Sequence, residues 1–376
     1  MFPCFSDRCR IAPQQEVEEP TPMDPRKTTG DHTFSIRPID YDIYQSVGVG
    51  FFGTSSILIA NHKPSGSFVV LRITDIETLA SDDLLSAVVE EMKLSQLLRH
   101  PNIACYYGSF VVGTKLWAVQ PLMHYGSCAD IMHSAKPFKN GFHENIIASI
   151  LRDVVTALDY LHNLGYVHGS VRAKHFLISK EGVVQLSGLR CVQPLLVHGT
   201  KMKAMYGHFS ATVDNICWLA PEVVAQDSSG YSSKADIYSV GIAALELATG
   251  EAPFAGLPVT EIMMLKLRAH PPLLMRRPDG QDDEVAPQQV HKSAMFHKVV
   301  DACVDPNPQR RPSSSKLLSL PYLRTRKRSV PMPTLNELLK PVVPLDTSKL
   351  TRVPLPDAVL GIEEDMQDLH LDTAWS

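Results

Sequence analysis

The residues of this chain that could do chemistry fall into three groups. Gly48-x-Gly50-x-x-Gly53 lies between two β-rich runs. A turn of that kind lets backbone amides approach a phosphate, because no Cβ stands in the way. A dinucleotide fold would follow its glycine turn with a helix, whereas a strand pattern follows this one. Next come a cation and an acid: Arg72 at the end of Val69-Val70-Leu71-Arg72, and Glu91 nine residues before His100-Pro101-Asn102-Ile103. The third group is His168-Gly169-Ser170-x-Arg172-x-x-His175, followed thirteen residues after His175 by Gly188-Leu189-Arg190. This last group offers hydroxyl, imidazole and guanidinium but no carboxylate, whereas magnesium wants hard oxygen ligands.

The elements that must position these residues can be read from periodicity. Strand patterns run from Tyr41 to the glycine turn, then on either side of a short turn at Lys63 to Gly66, with Phe68 to Ile73 rich in β-formers. Leu84, Leu85, Val88, Val89, Met92 and Leu98 recur at helical spacing, with Asp82 and Asp83 in the first turn where they suit the helix dipole. Two further strands are predicted at Ala104 to Val112 and Lys115 to Gln120. Ile146, Ile147, Ile150, Leu151, Val154, Leu158 and Leu161 then form a broad apolar stripe on a helix ending near Gly165. Short strands at Phe176 to Ile178 and Val183 to Leu186 and a helix at Lys234 to Ala248 follow. Residues 1–38 lack periodicity and are predicted to be a flexible leader. After Leu323, RTRKR and a Pro-rich stretch with an acidic end predict an extended tail over 324–376.

In this order and spacing, residues 41 to 323 resemble the eukaryotic protein-kinase domain. Val69 to Arg72 resembles the strand that carries the ATP-contacting Lys, and Glu91 its helix partner. Leu116-Trp117-Ala118-Val119 leads to a hinge at Gln120 to Met123. Ala220-Pro221-Glu222, Asp236-Ile237-Tyr238-Ser239-x-Gly241 and Arg311-Pro312 complete the set. The resemblance implies an α+β, two-lobed kinase-like fold, with a β-rich N-lobe over 39–120 and a mainly helical C-lobe over 121–323. It also implies a buried Glu222–Arg311 pair and a tie from Asp236 to the catalytic loop.

Set on that pattern, the phosphoryl-transfer machinery is missing. The base position is Ser170, the Lys near the transferred phosphate is Arg172, the second-metal Asn is His175, and the metal-binding Asp is Gly188. Transfer needs a carboxylate to orient the attacking hydroxyl and oxygen ligands for magnesium, and neither Ser nor imidazole replaces them. Leu189 can still fill the apolar slot after the metal position. Nucleotide binding is a separate matter: Gly48, Gly50, Gly53, Arg72, Glu91, Gln120 and Met123 are the candidate ATP contacts, with no magnesium required. Against it, Arg is longer than Lys, the span from Gly48 to Arg72 is slightly long, and Thr54-Ser55 lacks the usual Val over the adenine.

The stretches Tyr166 to His175, Leu186 to Arg190, Trp218 to Glu222 and Lys234 to Gly241 resemble the STE20-related adaptor pseudokinases more specifically. That resemblance implies an allosteric activator of the liver tumour-suppressor Ser/Thr kinase, acting as a pseudo-substrate with an armadillo-like scaffold protein. It also implies a cytoplasmic location with nuclear shuttling. The implied partner face is the segment from Cys191 to Trp218, where Leu195, Leu196, Met202, Met205, Tyr206 and Phe209 are apolar in a loop expected to be exposed. The family's tail ends in a Trp-Glu-Phe motif that docks on the scaffold, whereas this chain ends Asp372-Thr373-Ala374-Trp375-Ser376, leaving Trp375 as the one aromatic match. A nucleotide-gated scaffold and a weak atypical kinase are the alternative readings.

Composition sets the outer bounds. Of 376 residues, 44 % are hydrophobic and 20 % charged, with a net charge of −4, which gives no general pull toward nucleic acid or membrane. No apolar run approaches the roughly 20 residues that span a bilayer, and no secretory signal is read at the N-terminus. The cysteines (Cys4, Cys9, Cys105, Cys128, Cys191, Cys217, Cys303) are scattered, predicting reduced thiols and no metal site.

Overall fold

A computed structural model describes residues 34–50, 54–79, 82–197, 200–201, 204, 215–226, 230–268, 292–324 and 334–353. Alternating apolar residues build the first layer. Strands β1 (Tyr41–Gly50), β2 (Ser55–His62), β3 (Ser67–Asp75), β4 (Gly108–Val112) and β5 (Lys115–Pro121) form one antiparallel sheet in the order β1-β2-β3-β5-β4. One face buries Tyr41, Ile43, Leu58, Ala60, Val69, Leu71, Ile73, Trp117 and Val119. Helix α1 (Asp82–Leu97) covers part of the sheet through Val88 and Met92, which pack with Leu116 and Ala118. Packing begins before Tyr41: Phe34 stacks on Tyr107 with centroids 4.5 Å apart, and the Ser35 N–H donates to His62 Nε2 at 3.1 Å.

The strand predicted from Ala104 is shorter, beginning at Gly108. Its first residues are drawn to the other lobe instead. Ile103 bridges Leu186, and the Ala104 N–H donates to the Leu186 carbonyl at 3.0 Å.

The second lobe is mainly helical. Helix α2 (Cys128–Ser134) follows the two-residue β6 (Gly126–Ser127), and Ser127 with Asp130 caps it reciprocally. Helix α3 (Glu144–Asn163) buries its whole predicted stripe, each of the seven named residues at 1 % exposure or less. Burial of each is worth about 1.5–3 kcal/mol, so this stripe rather than helix propensity holds α3 in place. Strands β7 (Tyr166–Val167), β8 (Phe176–Ile178), β9 (Val184–Leu186) and β10 (Gln193–Pro194) carry the loop between them to the lobe interface, with β6, β8 and β9 in one small sheet and β7 paired to β10. Helices α4 (Pro221–Ala225), α5 (Lys234–Thr249), α6 (Val259–Leu267), α7 (Ala294–Cys303) and α8 (Ser314–Leu318) complete the lobe. Helix α5 is buried on nearly every side, and its buried residues include the carboxylates Asp236 and Glu246.

Two charged groups that would be ruinous if unpaired hold this lobe together. Arg311, its side chain fully buried, forks onto Glu222 at 2.6 and 2.9 Å and spends its other donors on the carbonyls of Asp305, Lys234 and Pro306. Asp236, 1 % exposed, accepts from the His168 and Gly169 backbone N–H groups at 2.8 Å and from His162 Nε2 at 2.8 Å. Arg311 and Glu222 thus form a buried pair, and Asp236 ties α5 to the loop after β7.

The described part of the tail, residues 334–353, holds regular structure that its proline content does not predict. Helix α9 (Leu335–Leu338) is capped by Thr334 and Glu337, and Leu335 and Leu339 enter the main core.

Burial alone would raise the Asp236 pKa, but the His162 hydrogen bond and neighbouring imidazoles outweigh it and lower it from the usual carboxylate value. A depressed carboxylate stabilises the fold above the unfolded pKa, and that contribution is lost as pH falls through the folded one. Asp236→Asn should therefore cost about 3 kcal/mol at pH 7. In urea denaturation, the gap between Asp236→Asn and wild type should shrink only below about pH 4. A gap that does not change with pH would show that the carboxylate charge is not what the loop requires.

Candidate functional site

The candidate residues lie on β1, β3, β5 and α1 and on the loop after β7. Gly48 and Gly50 pair across to Ile57 and Ser55, and a Cβ on Gly48 would meet nothing within 4 Å. Gly53 falls outside the described residues. The Ser55 side chain, which stands where an apolar residue would cover a base, is buried and bonds the Thr74 hydroxyl at 2.6 Å. Gln120 pairs with Val70 one residue before β5 ends at Pro121, and the Met123 carbonyl accepts from the Gly126 N–H, which fixes the turn between the lobes.

Arg72 and Glu91 do meet. The guanidinium forks onto the carboxylate at 3.2 and 2.8 Å, and both side chains are largely withdrawn from water. Tyr106, which sequence reasoning passed over, completes the pair. Its hydroxyl donates to Glu91 Oε1 at 2.5 Å, and its ring lies 5.2 Å from the Arg72 guanidinium carbon. Burial would depress the Arg72 pKa, but Tyr106 and Glu91 carry it upward, so the cation is permanent. This pairing holds α1 against the sheet, the arrangement that an active phosphotransferase needs.

The loop after β7 carries the decisive geometry. Asp236 anchors His168 and Gly169 from below, and His168 passes the constraint on through Nε2 to the Ser187 carbonyl at 3.0 Å and through Nδ1 to the Ser170 N–H at 3.3 Å. Burial pushes the His168 pKa down, in keeping with a neutral ring that donates at one nitrogen and accepts at the other. Ser170 is 3 % exposed, and its hydroxyl donates to Asn215 Oδ1 at 3.2 Å. Asn215, three residues before Trp218, gave no signal in sequence because only the fold brings it under Ser170. A buried hydroxyl already committed to an amide oxygen is no general base.

His175 occupies the place where metal ligands would have to converge. Its Nδ1 bonds the Ser170 carbonyl at 2.7 Å. Burial, then the Arg172 charge, lowers its pKa well below the usual imidazole value, so the ring is neutral. Gly188 stands against it at φ +89°, a left-handed backbone, and a Cβ there would fall 2.6 Å from His175 Nδ1. Glycine is thus required twice, by backbone and by contact. Imidazole and side chain exclude each other at this point, so the two substitutions are one structural change. Magnesium does not fit: the space beside Gly188 holds a ring nitrogen in place of a carboxylate oxygen. Among the described residues, no group of three or more His, Cys, Asp or Glu is arranged to hold a metal ion.

Arg172 sits over the Trp218 ring at 5.4 Å, and Trp218 donates from Nε1 to Glu246 at 2.8 Å. Leu189 is buried in the main core, filling its expected slot. Arg190, the last residue of the Gly188-Leu189-Arg190 triplet, bears electrostatically on Tyr106, His175 and Cys191.

The expected partner face is corrected at one position. Leu195 is 3 % exposed and belongs to the core, because its N–H bonds the Gly165 carbonyl at 2.7 Å and draws the chain inward. Met202, Met205, Tyr206, Phe209 and Trp375 lie outside the described residues.

Comparison with known proteins accords with this geometry. The protein kinase domain family matches residues 41–323. The mouse and human STE20-related kinase adapter protein alpha are each 33 % identical over 363 residues, covering 88 % of this chain and 83 % of the relative. The human beta form is 34 % identical over 350 residues, covering 84 % of this chain and 82 % of the relative. The chain belongs to the STE20-related kinase adapter family. It is a regulatory pseudokinase with a two-lobed kinase fold and no phosphotransferase centre.

Because His175 and Gly188 exclude each other's alternatives, Gly188→Asp alone should destabilise the fold by about 3 kcal/mol. Adding His175→Ala should recover more than half of that loss in urea denaturation. Equal stability of the single and double variants would show that the imidazole does not fill the metal position.

Proposed function

We propose that this chain is an allosteric adaptor that switches on a partner protein kinase, with the liver tumour-suppressor Ser/Thr kinase as the partner and an armadillo-like scaffold protein completing the complex. The observation that carries this reading is the contrast within one loop. Asp236, His168 and the Arg72–Glu91 pair are set as an active kinase would set them, while Ser170, His175 and Gly188 leave nothing to do the chemistry. A fold kept in active form without its reaction has its surface left to act with. The relatives' name, kinase adapter, points the same way. Residence in the cytoplasm, with shuttling to the nucleus alongside the partner, belongs to the same reading.

Nucleotide enters as a structural ligand without magnesium. Gly48 offers unobstructed backbone approach, and the paired Arg72 supplies fixed positive charge near the phosphates. Those features also favour a second reading, a scaffold whose partner affinity is gated by nucleotide. The two differ in whether partner activity rises.

The test is titration of the purified partner kinase and scaffold with this chain, following phosphorylation of a peptide substrate. The adaptor reading expects a saturable rise of tenfold or more that disappears with a catalytically dead partner. Complex formation with no rise would favour the gated scaffold, and neither complex nor rise would remove the named partner.

A further inference from the structure

The described part of the tail, residues 334–353, does not hang from the C-lobe but crosses to the N-lobe. Its start is built into the larger core: Leu335 and Leu339 are buried, and Val342 packs beside them. Asn336 Nδ2 donates to the Lys180 carbonyl at 2.6 Å, at the turn between β8 and β9. Gly182 of that turn has φ +77°, and a Cβ there would strike Asn336 Oδ1 at 2.6 Å and the Asn336 nitrogen at 3.0 Å. The turn therefore admits the tail only because glycine stands in it.

Six residues after Leu339 the tail reaches the hinge, where the Leu345 N–H donates to the His124 carbonyl at 2.8 Å. A turn closed by Asp346, whose carboxylate accepts from the Ser348 N–H and hydroxyl, redirects the chain. The Val353 N–H then donates to the Ile43 carbonyl at 2.8 Å, and Arg352 meets Asp42 at 2.6 Å. Strand β1 is the outer strand of its sheet, and its pairing with β2 shifts register between Ile43 and Gln45. The tail thus bonds an edge carbonyl at an irregularity, in the manner of an added strand. Pro341 and Pro344 stiffen the crossing by restricting the unfolded tail.

We propose that residues 334–353 are an intramolecular strap that fixes the N-lobe to the C-lobe across the hinge, holding the lobes in the active-like relation without metal or nucleotide. The exposed ion pair alone is a weak constraint. Its effect comes from being held in place by the buried anchor at Leu335 and Leu339, which keeps the N-lobe contacts at high effective concentration. Because β1 runs directly into the glycine turn, the strap also bears on where Gly48 and Gly50 sit. The inference rests on contacts within the chain and is independent of which kinase it partners.

Leu335 and Leu339 are core residues whose loss would disturb the whole lobe, so the test targets the far end. The full-length chain carrying Arg352→Gln and Val353→Pro loses the ion pair and the N–H donor while keeping the buried anchor. Amide hydrogen exchange, read by mass spectrometry without nucleotide, should speed up tenfold or more both in β1 and in the hinge from Pro121 to Tyr125. Exchange in α3 and α5 should stay unchanged. Unchanged exchange in β1 and the hinge would overturn the proposal, whether or not residues 342–353 loosen. A uniform rise through α3 and α5 would overturn it as well, since the tail would then merely add to global stability.

Discussion

Everything distinctive about the site depends on how Asp236 is satisfied. A carboxylate taken out of water is tolerated only if its oxygens are bonded, and here three donors do so: two backbone N–H groups of the loop after β7 and one imidazole of α3. This fixes the path of His168 and Gly169, and His168 passes that order on to Ser170 and Ser187. The loop keeps its shape for reasons that have nothing to do with phosphate chemistry. Residues on its upper side could therefore change to Ser, Arg and His while the backbone beneath them stayed in place.

The same separation holds between the lobes. Arg72 and Glu91 form a buried, bidentate pair that needs no ligand, and Tyr106 satisfies the carboxylate further. Arg311 and Glu222 play the corresponding part in the C-lobe. Removing either partner of such a pair would leave an uncompensated charge costing about 3–5 kcal/mol, so these interactions specify the fold strongly. By contrast, His175 against Gly188 is a local exchange of volume that closes the metal position without touching the core. Chemistry was the separable part of this architecture.

Much of this was legible in the amino-acid sequence, for identifiable reasons. The α3 stripe and the β8 bounds follow from the residue pattern, and the motifs place Ser170, His175 and Gly188 by spacing. What escaped was whatever arrives through tertiary contact. Tyr106 and Asn215 have no local pattern that marks them, and the inward turn of Leu195 is set by a carbonyl of Gly165, far away in sequence. Ala104 to Tyr107 read as strand because its residues suit one, yet a bond to Leu186 in the other lobe takes precedence. The tail was different: Thr334-x-x-Glu337 ahead of two leucines is a capping signature, obscured by the prolines around it.

A kinase fold stands here without phosphotransferase chemistry. The most direct measurement is a long incubation of the purified full-length chain, at high concentration, with radiolabelled ATP and either magnesium or manganese, alone and with a generic protein substrate. Incorporation should be no greater than that of an Arg72→Met variant prepared in parallel. Label that accumulates with time on the chain or the substrate, and that the Arg72→Met variant lacks, would contradict it.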